Sequence, residues 1–273
     1  MIFVDSHVHL YDCFDVDFVF DSALKNFQEA ARQYTSEPQA SSYLLLLTEC
    51  EKDNWFQQQL AAGRDSGQGQ VTIGKKWYAM GTGEADSLLV WRPDSPEQKI
   101  HLVAGRQVIT REKIEVLALF LNQSLSSGMS LPETVDAIRQ ADSIPVLPWG
   151  AGKWLGKRGE ILKEFLSGQR KGNLFLGDNG GRPQFWSTPD LFDLAEKKEI
   201  LVLPGSDPLP LPSEAARIGS FGFYLHGDSP YGDSPTLFLK KALLSSEIRP
   251  VPFGRMQKNS LFLFNQLRLR LSI

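Results

Sequence analysis

His7 and His9 stand one residue apart and follow directly on the apolar run Ile2-Phe3-Val4 and Asp5. Such a run reads as a fully buried strand. Side chains alternate faces in an extended chain, so His7 and His9 point the same way. Two imidazoles on one side can grip a single cation from two directions. The bland alternative is two histidines in a polar loop, and their place just past a buried strand favours the metal. Asp207 follows the late apolar run 200–203 and is the first choice for an acid to join them; a plain Asp-Pro turn is the other reading. A zinc, manganese or iron ion held this way with an open position brings the pKa of bound water toward about 7 and yields a hydrolytic nucleophile.

Other polar residues stand where they could serve such a centre. Asp12 is the nearest carboxylate after His9, and is either a further ligand or part of a helix cap. Glu49 follows the apolar run 43–47 and Asp178 follows 173–176. Each could be a ligand or the proton acceptor. Glu49 could equally open the next helix, and Asp178 could belong to an Asp-Asn-Gly-Gly turn. The loop 148–159 is rich in glycine, tryptophan and cations. Its Lys153 and Arg158, with Arg182, would hold an anionic group and offset charge that grows in a transition state. The competing reading is a surface loop packed by Trp149 and Trp154. It is not a nucleotide phosphate loop, because G-K-[ST] is absent.

Seven apolar runs, near 2–6, 43–47, 114–120, 144–148, 173–177, 200–204 and 220–225, are mostly separated by helix-like stretches such as 16–35 and 132–141. Alternating strand and helix predicts a parallel sheet with right-handed crossovers. A count near seven or eight, with polar residues gathered at the carboxyl ends, predicts a TIM-like barrel over one domain, 1–273. Residues 63–104 break the rhythm with glycine-punctuated short pieces and read as antiparallel hairpins. That stretch is expected to be a β-rich insertion, serving as a lid, a protein-partner surface or a contact in a homo-oligomer.

Composition narrows the classes. The chain of 273 residues has a net charge of -3, which gives no electrostatic case for nucleic acid or an anionic membrane. No apolar run approaches the roughly 18 residues a span needs. The sequence opens on a strand rather than an export signal. Two cysteines form no disulfide framework. The expectation is a cytoplasmic protein with a small-molecule substrate and neither nucleic-acid nor membrane partners.

Four segments carry a family resemblance. DSHVHL resembles the opening strand of metal-dependent hydrolases of the amidohydrolase and PHP (polymerase and histidinol phosphatase) type. GSDPLPLPSE resembles the late PHP segment that usually reads glycine-serine-aspartate-alanine-histidine. GRQVITREKIEVLALF is similar to the PHP middle strand, and IPVLPWG to the strand that normally ends in alanine-histidine-proline. The resemblance implies a distorted (β/α)7 barrel. Residue by residue it carries over only His7, His9 and Asp207 as ligands. Gln107 stands where the family has a glutamate, Glu115 where it has a histidine, Leu147 or Pro148 where it has another, and Pro208 where a histidine usually follows the aspartate. Asp12, Glu49, Glu115 and Asp178 are the available substitutes, which argues against a trinuclear cluster. Two functions follow: a metal-dependent hydrolase of a phosphoester or similar anionic small molecule, or a catalytically degenerate barrel that serves as a binding or scaffold protein.

Overall fold

A computed structural model describes residues 1–273 except 171, 173, 227–233, 246–248 and 272–273. The first strand, β1 (Ile2–Val8), is buried along its whole length. The Asp15 carboxylate accepts the Phe18 N–H at 2.8 Å and caps α1 (Val16–Tyr34). The helix buries a stripe at helical spacing that includes Phe20, Leu24 and Phe27. Next comes β2 (Ser42–Leu47), parallel to β1, and then α2 (Trp55–Asp65). Four strands follow as hairpins: β3 (Gln70–Ile73), β4 (Trp77–Gly81), β5 (Ser87–Arg92) and β6 (Ser95–Val103). β6 also runs parallel to β2, with His101 opposite Leu44.

The chain then changes sheets. β7 (Gly105–Ile109) pairs antiparallel with β8 (Glu115–Leu119). A Ser130–Glu133 capping box opens α3 (Leu131–Gln140), in a stretch expected to be helical. β9 (Ile144–Pro148), α4 (Gly156–Ser167), β10 (Phe175–Asn179), α5 (Asp190–Lys197) and β11 (Val202–Gly205) form a strand–helix series in which β9, β10 and β11 are parallel. Asn173, expected at the start of β10, lies outside the described residues. β12 (Phe221–Leu225) returns antiparallel to β1, followed by α6 (Pro235–Leu244), β13 (Val251–Gly254) and α7 (Asn259–Leu271). Among the described residues no helix is long and apolar enough to cross a membrane.

Alternation sorts each strand's side chains into layers. Ile2 and Val4 of β1, Leu44 and Leu46 of β2, Leu117 and Leu119 of β8, and Phe175 of β10 belong to one inner core between the two sheets. Phe3, Tyr43 and Leu45 turn outward, into a core with α1. Val116, Ala118 and Leu176 turn outward on the other side, into a core with α3, α4 and α5.

The expected TIM-like (β/α)7 barrel does not form. Its strands are divided between two mixed sheets, ordered β13-β12-β1-β2-β6-β5-β4-β3 and β11-β10-β9-β8-β7. Closure would require β1 to pair with β11 and β2 with β7. Those edges are occupied by β12 and β6, so neither ladder can continue around the molecule. A few isolated hydrogen bonds bridge the two gaps. Glu49 N–H donates to Gly105 O at 3.1 Å and Gln107 N–H to Glu49 O at 2.8 Å, while Asp207 N–H donates to His7 O at 2.9 Å.

The hairpins of 63–104 pack into the same core as α1. Trp77 is fully buried, lies 5.6 Å from the Phe20 ring and donates its indole N–H to Asp21 at 3.1 Å. Trp77→Ala is therefore expected to lower unfolding stability by about 3–5 kcal/mol. Denaturant unfolding checks this, and a loss below about 1 kcal/mol would show that the hairpins are not part of the core.

Candidate metal centre

A strict period of two would place His7 and His9 on the outward face of β1, with Phe3. The register between β1 and β2 prevents this. Asp5 lies opposite Leu45 and Val8 opposite Leu47, so three steps on β1 match two on β2. This β-bulge adds one residue and reverses the alternation beyond it. Phe3 and Val8 consequently share the outer core although they are five positions apart. His7 and His9, on either side of Val8, turn to the inner face, where β11 arrives.

β11 reaches β1 closely because Gly205 has no side chain: a Cβ there would meet His7 N at 2.5 Å. Asp5 braces the junction. Its carboxylate accepts N–H groups from Ser206 at 2.8 Å, Gly219 at 2.8 Å and His7 at 3.3 Å. Ser6 Oγ adds a bond to Pro204 O at 2.8 Å. Burial pushes the Asp5 carboxyl up to about 6, and these hydrogen bonds oppose the shift. Asp207 then sits in left-handed backbone, φ 43°, which aspartate tolerates better than most residues.

The result is a triangle of donor atoms. His7 Nε2 and His9 Nε2 are 3.1 Å apart, and Asp207 Oδ1 lies 3.5 Å from the first and 3.6 Å from the second. An ion with ligands at about 2.0–2.1 Å in tetrahedral geometry separates neighbouring donors by about 3.3–3.4 Å. The three atoms thus fit three corners of a tetrahedron, and His7, His9 and Asp207 could hold a metal ion. The side chains of His7 and His9 are 5% and 4% exposed and that of Asp207 21%, so solvent reaches the group on the aspartate side.

Burial governs the electrostatics. It lowers His7 to about 4, with Glu115 opposing and Lys153 assisting. It lowers His9 to about 3, assisted by His7 and Lys153 and opposed by Asp207. Both imidazoles are neutral near pH 7, as metal ligation requires. Burial raises Asp207, while His9, Lys153, Arg217 and an Asn179 hydrogen bond restrain it. The His9 Nδ1 atom is buried without a hydrogen-bond partner, and the nearby Gln107 side chain works against the lowering of His7.

The remaining candidates are placed differently. Among the described residues Glu115 and Asp12 are not part of the donor group. Glu115 pairs with Lys153, and both charges act on His7. Glu49 pairs with Arg106 at 3.1 Å and accepts the Phe56 N–H at 2.8 Å, at the start of α2. Asp178 is engaged by Arg182 through both oxygens, at 2.9 and 2.8 Å. Arg158 donates to the carbonyls of Lys113 and Gly152. His101 is buried in β6.

Sequence reasoning missed Asn179. Its side-chain amide donates to Asp207 and, at 3.5 Å, to the Trp149 carbonyl, while its oxygen accepts Gly181 N–H at 2.6 Å. Alternation along β10 was the available signal, since Asn179 shares parity with inward Phe175 and Asp178 with outward Leu176. Tyr11, stacked on the His9 ring at 5.4 Å, was also missed.

No family model matches the chain, and no curated protein matches it in sequence. Solved structures do share its fold. PsfC from Pseudomonas syringae PB-5123 superposes with a TM-score of 0.52 at 14% identity, over 99% of this chain and 98% of that one. The lesion-specific endonuclease PfuEndoQ from Pyrococcus furiosus gives 0.51 at 10% identity, over 91% of this chain. This chain spans 57% of the endonuclease's length. Endonuclease Q bound to a 27-mer duplex substrate with an abasic lesion gives 0.47. These likenesses concern the fold. They also correct one expectation: a net charge of -3 does not exclude nucleic acid, since one protein that shares this fold is a lesion-specific endonuclease.

Asp5→Asn keeps the brace's shape but turns one acceptor into a donor facing an N–H group. It is expected to destabilise the fold by about 1–3 kcal/mol. Thermal unfolding of the variant tests this, and an unchanged midpoint would remove Asp5 from that role.

Proposed function

We propose that the chain is a PHP-type metal-dependent hydrolase of phosphoesters, with His7, His9 and Asp207 holding one divalent ion. The observation that carries this is the triangle of ligand atoms with sides of 3.1, 3.5 and 3.6 Å. A bound divalent cation supplies Lewis acidity, polarising a phosphoryl oxygen and acidifying water.

The chain's own residues do the rest. Asn179 orients Asp207 by occupying one carboxylate oxygen, leaving the other toward the imidazoles. Lys153 is the proposed anion-binding cation, because Arg158 is committed to carbonyls and Arg182 to Asp178. Glu115, released from Lys153 as that ammonium meets an anionic oxygen, is the proposed proton acceptor. Glu49 and Asp178 are less suited to this role, since each already neutralises an arginine. The phosphoester could belong to a small molecule or to a polynucleotide.

One observation favours the rival reading of a degenerate binding protein. The contact between the two Nε2 atoms can also be a direct N–H···N hydrogen bond, which needs no ion. Metal analysis separates the readings. Wild type supplemented with zinc or manganese is expected to retain about one ion per chain, and the His7→Ala, His9→Ala double variant none. Asn179→Ala is expected to weaken metal affinity by about 10–100-fold. Hydrolysis of an aryl phosphate or an oligonucleotide should disappear in the double variant. Wild type that stays metal-free after supplementation would end the hydrolase reading.

A further inference from the structure

We propose that the cavity between the loop after β9 and the segment before α5 receives a planar aromatic ring of the substrate, of the nucleobase class. This rests on reading the His7–His9–Asp207 group as the reacting centre and extends it by naming the organic part of the phosphoester.

The cavity has a volume of about 210 Å³, and Trp149, Trp154 and Trp186 all line it. The rings of Trp149 and Trp186 meet at 79° with centroids 5.5 Å apart, forming a corner with one ring face set against another's edge. The backbone fixes that corner. Trp186 N–H donates to Pro183 O at 3.0 Å, and its carbonyl accepts from Arg182 at 3.3 Å. Trp149 N–H donates to Gly177 O at 2.8 Å. A third ring can lie against this corner without any rearrangement of the strands.

Two connections tie the cavity to the donor triangle. The Asn179 amide that donates to Asp207 also reaches the Trp149 carbonyl. On the neighbouring wall, a Cβ at Gly150 would meet Lys153 Cδ at 2.6 Å, so the lysine stem crosses this bare position while its ammonium pairs with Glu115. One loop therefore offers an aromatic cavity on one side and, through Lys153, a cation paired with Glu115 whose charge is felt at His7 on the other. A molecule with a ring at one end and an anion at the other matches that arrangement.

Size and polarity select the ligand class. Cavities that enclose whole drug-sized ligands run from about 300 to 1,000 Å³, so this one suits a ring rather than a complete nucleotide. Among its described lining residues there is no lysine or arginine, and Asp190 is present, which disfavours an anionic end there. Ser187, Thr188 and Asp190 offer hydrogen-bonding groups to the edge of a heterocycle.

Calorimetric titration of adenosine, with ribose as the control, tests this on wild type, Trp186→Ala, Ser187→Trp and the His7→Ala, His9→Ala double variant. Adenosine is expected to bind wild type and ribose is not. Trp186→Ala is expected to weaken adenosine by about 5- to 150-fold, the range for loss of one base-stacking partner. Ser187→Trp, at an exposed position on the cavity wall, is expected to block it, and guards against Trp186→Ala failing to fold. The histidine double variant should bind adenosine as wild type does, because the ring site does not use the imidazoles. Adenosine binding no tighter than ribose, or unchanged in both folded cavity variants, overturns the ring site. Adenosine binding by a wild type that holds no metal would leave the ring site standing and overturn the hydrolase reading alone.

Discussion

The close approach of β11 to β1 is the constraint on which the candidate site depends. Nearly two hundred residues separate these strands, and no continuous ladder joins them. What holds them is local and specific: a bare Gly205 against the His7 backbone, the Asp207 N–H on the His7 carbonyl, and the Asp5 carboxylate gathering three N–H groups from both sides. The bulge between Asp5 and Val8 then turns the two imidazoles into the space this creates. Without the bulge they would face the outer core. Without the brace, Asp207 would have no fixed distance from them.

Burial gives the centre its chemical character. Imidazoles stripped of water resist protonation; His9 resists further because His7 is beside it, and the Lys153 ammonium opposes protonation of both rings. Lone pairs are thereby kept available on both rings at neutral pH. The same desolvation raises Asp207, and the surrounding cations together with Asn179 hold its carboxylate against that rise. Other charges around the centre are largely matched in pairs, Glu49 with Arg106, Asp178 with Arg182 and Glu115 with Lys153. The first two pairs are largely buried and fix backbone. The third is more exposed, its lysine 44%, and is the pair with freedom to rearrange around a ligand.

Much of this was legible in the sequence because the strands are apolar and regular. Each of the seven apolar runs overlaps a strand, and His7, His9 and Asp207, placed at or just past strand ends, come together. The barrel was misread because pattern shows that a strand exists, not which edge it pairs with. β6 and β12 take the edges that closure needs, and the short β7 and β13 leave little periodic signal. The candidate carboxylates could have been sorted further by parity. Glu115 and Asp207 share the parity of inward residues on or before their strands, whereas Glu49 and Asp178 share that of outward ones. Parity fails at His7 and His9, because one extra residue in a bulge has no compositional mark. The expectation about nucleic acid failed for another reason: whole-chain charge averages over a surface and says little about one pocket.

The most direct test of this account is X-ray absorption at the zinc edge of zinc-loaded protein. The account predicts a first shell of nitrogen and oxygen donors at about 2.0–2.1 Å with the outer-shell scattering of two imidazoles, reduced to one in His9→Ala. A spectrum without imidazole scattering, or one unaltered by that substitution, would contradict it.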